Sequence, residues 1–129
     1  MSDEIGGTGA GGDGIQVGLL DPERHREYRD VNAVGFGAPK AKTDPLPVVE
    51  LDRVWAATES DLIVGGVQAY SATITPAGPA TPIPMAAVSD VSVQTTHRRR
   101  GVLTRLMGSL LDQAVERGEA VAGLMASEA

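Results

Sequence analysis

The sequence contains no cysteine. Disulfides, thiolate nucleophiles and Cys-ligated zinc are therefore excluded. Histidine is scarce as well. His25 and His97 are the two in the chain, and they form no ligand-spaced cluster, so no metal site is expected. Aromatic residues make up 3% of the chain, with Trp55 and Phe36 single of their kind, so the core has to be built from Val, Leu, Ile, Ala and Met. No apolar run approaches the ~20 residues of a membrane span, and the N-terminus lacks the charged-then-apolar pattern of a secretory signal. A basic excess is missing too: the formal net charge is −6, which argues against a general nucleic-acid binder. A cytoplasmic protein with no membrane and no nucleic acid as partner is the expectation. The 129 residues suit one domain.

Residues 1–14 are rich in glycine and acid, and they predict a disordered tail ahead of a domain at 15–129. Within the tail, Gly7-Thr8-Gly9-Ala10-Gly11-Gly12 spells G-x-G-x-x-G. The dinucleotide reading of that motif needs a strand before it and a helix opening within it, and neither is present. Alternation over 15–20 predicts a first strand. Asp21-Pro22-Glu23 supplies an N-cap oxygen, a first-turn proline and an acid, which predicts a helix from Pro22 to about Val34 with Tyr28, Val31 and Val34 buried. Three prolines place a loop at 38–49. Residues 53–58 and 62–75 read as an antiparallel hairpin around Glu59-Ser60-Asp61, with Gly65-Gly66 marking a bend or bulge. A proline-rich turn at 76–84 leads to a strand at 85–93. The strongest helix follows, with Val102, Leu103, Leu106, Met107, Leu110, Leu111, Ala114 and Val115 at helical spacing and Gly118 as its stop. A short strand at 120–126 closes the pattern. The fold class is α/β (α+β type), a mixed, mostly antiparallel sheet flanked by helices.

Chemistry concentrates between the strand at 85–93 and the helix beginning near Val102. A helix start leaves backbone N–H groups unpaired and carries about half a positive charge, which suits a pyrophosphate. Gly101 permits close approach of the backbone. Arg98, Arg99 and Arg100 add forked donors for phosphate oxygens. Cations oppose the helix dipole at this end, so three arginines there make sense with a bound polyanion. The bland alternative is a solvated basic run or a nucleic-acid patch. Its position between a clean strand and a clean amphipathic helix, in an acidic chain, favours the anion site.

The segment Arg98-Arg99-Arg100-Gly101-Val102-Leu103 resembles the R/Q-x-x-G-x-G/A loop of GNAT acetyltransferases. The longer string Val91-Ser92-Val93-Gln94-Thr95-Thr96-His97-Arg98-Arg99-Arg100-Gly101-Val102-Leu103 resembles the Eis (enhanced intracellular survival) branch, as does the closing Leu124-Met125-Ala126-Ser127-Glu128-Ala129. Leu103 stands where the general loop has a third small residue, and Gln94-Thr95 replaces the usual residue–proline pair. The resemblance implies acetyl-CoA as cosubstrate and no metal. It implies that Val91, Ser92 and Val93 offer backbone groups to the acetyl and pantetheine arm. Arg98, Arg99, Arg100, Gly101, Val102, Leu103 and Thr104 would hold the pyrophosphate, and Ser127 and Glu128 would border the cofactor. The acceptor would be the primary amine of a small molecule or a lysine. The family's catalytic tyrosine follows the S-E pair, so the general acid and base are expected beyond residue 129. The sheet is accordingly expected to be truncated after its fifth strand and inefficient in catalysis alone. Eis-like proteins assemble into larger oligomers, so the resemblance allows a homo-oligomer for the full-length protein.

Other polar residues carry weaker signals. Tyr28 and Tyr70 read as packing residues rather than acids, and Glu50 and Asp52 as solvated rather than amine-facing. His97 either contacts phosphate or orders the loop by a hydrogen bond. Asp90 reads as a water-facing strand acid rather than an aid to amine binding. Two rival functions remain: a non-catalytic acyl-CoA-binding module of the same fold, and a nucleic-acid-binding domain using Arg98–Arg100.

Overall fold

The computed structural model describes residues 14–35 and 49–124. The expected tail with its G-x-G-x-x-G string, most of the loop at 38–49, and Ser127 and Glu128 lie outside the described residues. Among the described residues five strands form one sheet: β1 (Ile15–Leu19), β2 (Val54–Glu59), β3 (Leu62–Ile74), β4 (Ile83–Val93) and β5 (Val121–Leu124). Their spatial order is their chain order. Every pairing is antiparallel except β4 with β5, which is parallel. Two α-helices among the described residues flank the sheet, α1 (His25–Gly35) and α2 (Val102–Glu116). The parallel pairing follows from α2, because a strand that leaves one end of the sheet and returns through a helix re-enters in the same direction.

Chain entry into α1 is set by Asp21, whose carboxylate accepts a hydrogen bond from the Glu23 N–H at 2.9 Å. The sequence predicts one helix from Pro22; the structure instead has a 3-10 turn over Pro22–Arg24 that hands over to α1 at His25. The Arg24 N–H bonds the Asp21 carbonyl at 2.8 Å, the tight i to i+3 closure common at helix starts. The expected buried stripe is also corrected. Tyr28 is buried, but Val34 is 55% exposed, and His25 and Asn32 occupy the inner face instead. They do so because α1 lies over polar positions of β3 and β4: the Ser92 hydroxyl bonds the Asn32 side chain. The Tyr28 ring lies so close to Gly66 that a Cβ there would fall 2.1 Å from Cε2, which explains the glycine in mid-strand.

On the other face α2 buries Val102, Leu106, Leu110 and Ala114, one residue per turn, against Ala57, Ala69 and Ala86. Fully burying each Val or Leu contributes roughly 1.5–3 kcal/mol. The sequence pattern is wider than this stripe, because Leu103, Leu111 and Val115 are exposed. The core beneath α2 also holds Ile15, Val17, Val64, Val67 and Val88, and the helix presents a single row of side chains to it. The helix ends as expected at Gly118, with Gly118 N–H on the Val115 carbonyl and Glu119 N–H on the Ala114 carbonyl.

That turn delivers Glu119 to the interior. Arg53, read from sequence as the first residue of a strand, ends a 3-10 turn instead and is fully buried. Its guanidinium grips both oxygens of Glu119 at 2.8 and 2.6 Å and reaches the Ser71 hydroxyl at 3.2 Å. Glu50, expected to be solvated, accepts from the Ser71 N–H and hydroxyl, which hold its carboxyl below the usual range.

Candidate anion-binding groove

Strand β4 is irregular where it nears the helix. Its register against β3 slips between Gly66 and Gln68, so that Gly66 faces Ser92 while Gln68 faces Ser89. The residue left over is Asp90, at φ +52, a left-handed conformation unusual for an aspartate inside a strand. Its carboxylate is half-buried rather than water-facing, and the Gln68 amide donates to it. Burial pushes the Asp90 carboxyl up, while Arg29 and His25 pull it down. Pairing of β4 with β5 is recorded from Met85 to Val88, so among the described residues the edge of β4 from Ser89 to Val93 is not in a ladder with β5.

Beyond Val93 the chain makes a 3-10 turn over Thr95–His97 and a tight turn through Arg98, Arg99, Arg100 and Gly101 before α2 begins. Arg99 and Gly101 both have positive φ, +64 and +74. Gly101 is the N-cap of α2, and it supplies no side-chain acceptor; the first turn of the helix contains no acid. The first intrahelical bond runs from Arg105 N–H to the Gly101 carbonyl. The N–H groups of Val102, Leu103 and Thr104 therefore have no intrahelical acceptor by position. A Cβ on Gly101 would meet no described protein atom within 4 Å, so the glycine is called for by its positive φ and not by crowding from the protein.

These elements enclose a groove of about 440 Å³ lined by Val91, Ser92, Val93, His97, Arg98, Arg99, Gly101, Val102, Leu103 and Thr104. Every one of the site residues expected from the sequence at 91–104 lines it except Arg100. The Arg100 guanidinium lies 3.1 Å from Glu59 Oε2 on the hairpin between β2 and β3. His97 takes the ordering role: its Nε2 is 2.8 Å from Glu59 Oε1, and its Nδ1 meets the Thr96 hydroxyl at 2.7 Å. Donation by His97, and then by Arg100, holds the Glu59 carboxyl below the usual carboxylate range. Glu59 was missed in the sequence because nothing local links it to residues 38 and 41 positions away.

The groove can neutralise and orient a phosphate-bearing ligand through helix-start N–H groups and two arginines, with an extended strand alongside for a linear arm. Elsewhere the structure is less specific. Tyr70 is half-buried, and its hydroxyl accepts from the Gln68 amide. Burial pushes the phenol of Tyr28 up, consistent with a packing role. No group of three or more potential metal ligands occurs among the described residues. Among them, too, no helix is long and apolar enough to cross a membrane.

Residues 17–129 match the family model described as an acetyltransferase (GNAT) domain. An uncharacterized N-acetyltransferase of Streptomyces griseus is 34% identical over 119 residues, covering 88% of this chain and 28% of that protein. Another, from Streptomyces avermitilis, is 43% identical over 81 residues, covering 63% of this chain and 20% of that one. Among solved structures, Eis1 from Mycobacterium abscessus superposes with a TM-score of 0.74 at 33% identity, over 89% of this chain and 28% of its own. An aminoglycoside acetyltransferase from an uncultured soil metagenomic sample superposes with a TM-score of 0.72 at 25% identity, over 89% of this chain and 81% of its own. The chain thus spans less than a third of the length of the curated relatives it matches.

Proposed function

The chain belongs to the GNAT acetyltransferase family, and from that membership we propose that its groove binds acetyl-CoA for transfer of the acetyl group to a primary amine. The observation that carries this reading is the meeting, in one groove, of an uncapped helix start, two arginines and a strand edge that, among the described residues, has no ladder partner on the β5 side. The N–H groups of Gly101, Val102, Leu103 and Thr104 receive the pyrophosphate, with Arg98 and Arg99 supplying counter-charge. The backbone of Val91, Ser92 and Val93 pairs with the amides of the pantetheine arm. The resemblance also assigns Ser127 and Glu128 to the border of the cofactor.

With the thioester held along β4, a neutral amine attacks the carbonyl carbon, the C–N bond forms and the C–S bond breaks. The departing thiolate gains a proton and the amine loses one. Within the groove the contribution of the named residues is positioning, together with polarisation of the carbonyl by backbone N–H. By the resemblance, the acid and base of the step belong beyond residue 129. The acceptor is the amine of a small molecule or of a lysine side chain; the soil aminoglycoside acetyltransferase supports the small-molecule class. The same reading places the protein in the cytoplasm and allows a homo-oligomer.

Isothermal titration with coenzyme A tests the groove. Saturable binding is expected for the wild type and is expected to fall by more than about a hundredfold in the Arg98→Ala, Gly101→Asp double variant, which removes a charge-assisted contact and adds a repelling one. Unchanged affinity in that variant overturns the assignment.

A further inference from the structure

The three consecutive arginines do not share one task. Arg98 and Arg99 line the groove, whereas Arg100 faces the hairpin turn. One carboxylate meets both flanks of the pair. Glu59 Oε1 is 2.8 Å from His97 and Glu59 Oε2 is 3.1 Å from Arg100. The two residues held are three apart in sequence, and the chain between them arches toward the groove. Within and beside that arch lie the left-handed Arg99 and Gly101, on either side of Arg100. A left-handed arginine is strained, and such a conformation persists where the surroundings over-determine it.

Glu59 is itself well fixed. It ends β2, pairs with Ile15 of β1 and Leu62 of β3, and precedes the tight turn Ser60-Asp61, whose residues both have positive φ. That turn is tied in its turn to the start of α1. Arg24 donates to the Asp61 carboxylate at 3.2 Å and to the Asp61 carbonyl at 2.7 Å, while also pairing with Glu27. The groove loop is thus buttressed by an element that does not line it.

We propose that Glu59 is a positioning residue for the pyrophosphate of the cosubstrate: one carboxylate clasps His97 and Arg100 and so presents Arg98, Arg99 and the helix-start N–H groups to the ligand. This rests on the acetyl-CoA reading of the groove. It carries an unusual sign. A carboxylate beside a phosphate site repels the ligand through charge, so deleting it should tighten binding if charge were its whole effect. A clasp predicts the reverse.

The test uses the full chain, with coenzyme A and with pantetheine, which has the same arm without the pyrophosphate. Glu59→Gln is expected to raise the Kd for coenzyme A about tenfold, on the scale of one lost charge-assisted bond, and to leave pantetheine unaffected. His97→Gln and Arg100→Gln are expected to weaken coenzyme A likewise, and Glu59→Gln combined with Arg100→Gln to be no worse than either alone. Equal or tighter binding of coenzyme A by Glu59→Gln overturns the proposal, as does an equal loss for both ligands, which would mean general loosening. Amide hydrogen exchange on the unliganded protein separates this failure from failure of the groove assignment. Faster exchange at 98–104 in Glu59→Gln supports the clasp even if coenzyme A does not bind the wild type. Unchanged exchange there overturns it.

Discussion

Strand β2 has an arginine–carboxylate network at each end, and the two could hardly differ more. Before its first residue, Arg53 and Glu119 are 0% and 5% exposed and joined by two short bonds. At its last residue, the Glu59 side chain and its partners His97 and Arg100 are 32%, 14% and 36% exposed. The dry network joins the chain before β2 to the turn after α2 and touches no groove residue. The wet one borders the groove. Buried pairs are costly to break because either partner alone is left charged and desolvated. Exposed pairs add little to stability, but they can fix the geometry of a loop that has few apolar contacts of its own. One end of the strand secures the fold, and the other, under our proposal, arranges the groove.

The comparison can be broken most forcefully at the dry end. Glu119→Ala strands the Arg53 guanidinium and is expected to cost about 3–5 kcal/mol of unfolding free energy. Replacing the pair together, Arg53→Met with Glu119→Leu, should recover most of that loss, as apolar substitutes for buried ion pairs often do. Urea denaturation measures both. A single-variant cost near that of an ordinary surface change would erase the contrast. At the wet end Glu59→Gln should leave the urea midpoint where it is, while coenzyme A affinity falls.

pH sharpens the contrast on a smaller scale. His97 and Arg100 depress the Glu59 carboxyl, so its favourable interaction is complete at neutral pH and above the range in which an ordinary glutamate protonates. It is lost as pH falls through the depressed value. The ratio of coenzyme A affinities, wild type over Glu59→Gln, should stay constant down to mildly acidic pH and approach one below that. The ratio cancels protonation of the ligand itself. Salt gives the smallest effect. Raising ionic strength from about 0.1 to 1 M shortens the screening length from roughly 10 to 3 Å. The same affinity ratio should shrink, while the penalty for Glu119→Ala should barely move.

Much of this was legible in the sequence, for physical reasons that can be named. The strand–turn–helix around Arg98-Arg99-Arg100-Gly101 announces itself because periodicity changes from two to 3.6 across a glycine. The bend expected at Gly65-Gly66 falls where the β3–β4 register slips. The networks were hidden. Arginines are rarely buried, and Arg53 meets a partner 66 positions away. The same blindness affected α2, where apolar spacing marks every side chain that could be covered and only packing decides that Leu103, Leu111 and Val115 are not. In α1 the inner face is polar at His25 and Asn32, and a hydrophobic pattern cannot reveal such a face.

The strand order carries a consequence for how the groove comes into being. Strands β2, β3 and β4 form a meander of chain neighbours, joined by Ser60-Asp61 and the proline-containing turn. Contacts so close in sequence close with little loop entropy and form early. Strand β5 reaches β4 only after α2 has been laid down, across a longer crossover. The described lining of the groove lies wholly at 91–104, so it is assembled without β5. A ligand that binds only the folded groove would stabilise the domain by mass action, so under our proposal acetyl-CoA would support the fold as well as serve as cosubstrate.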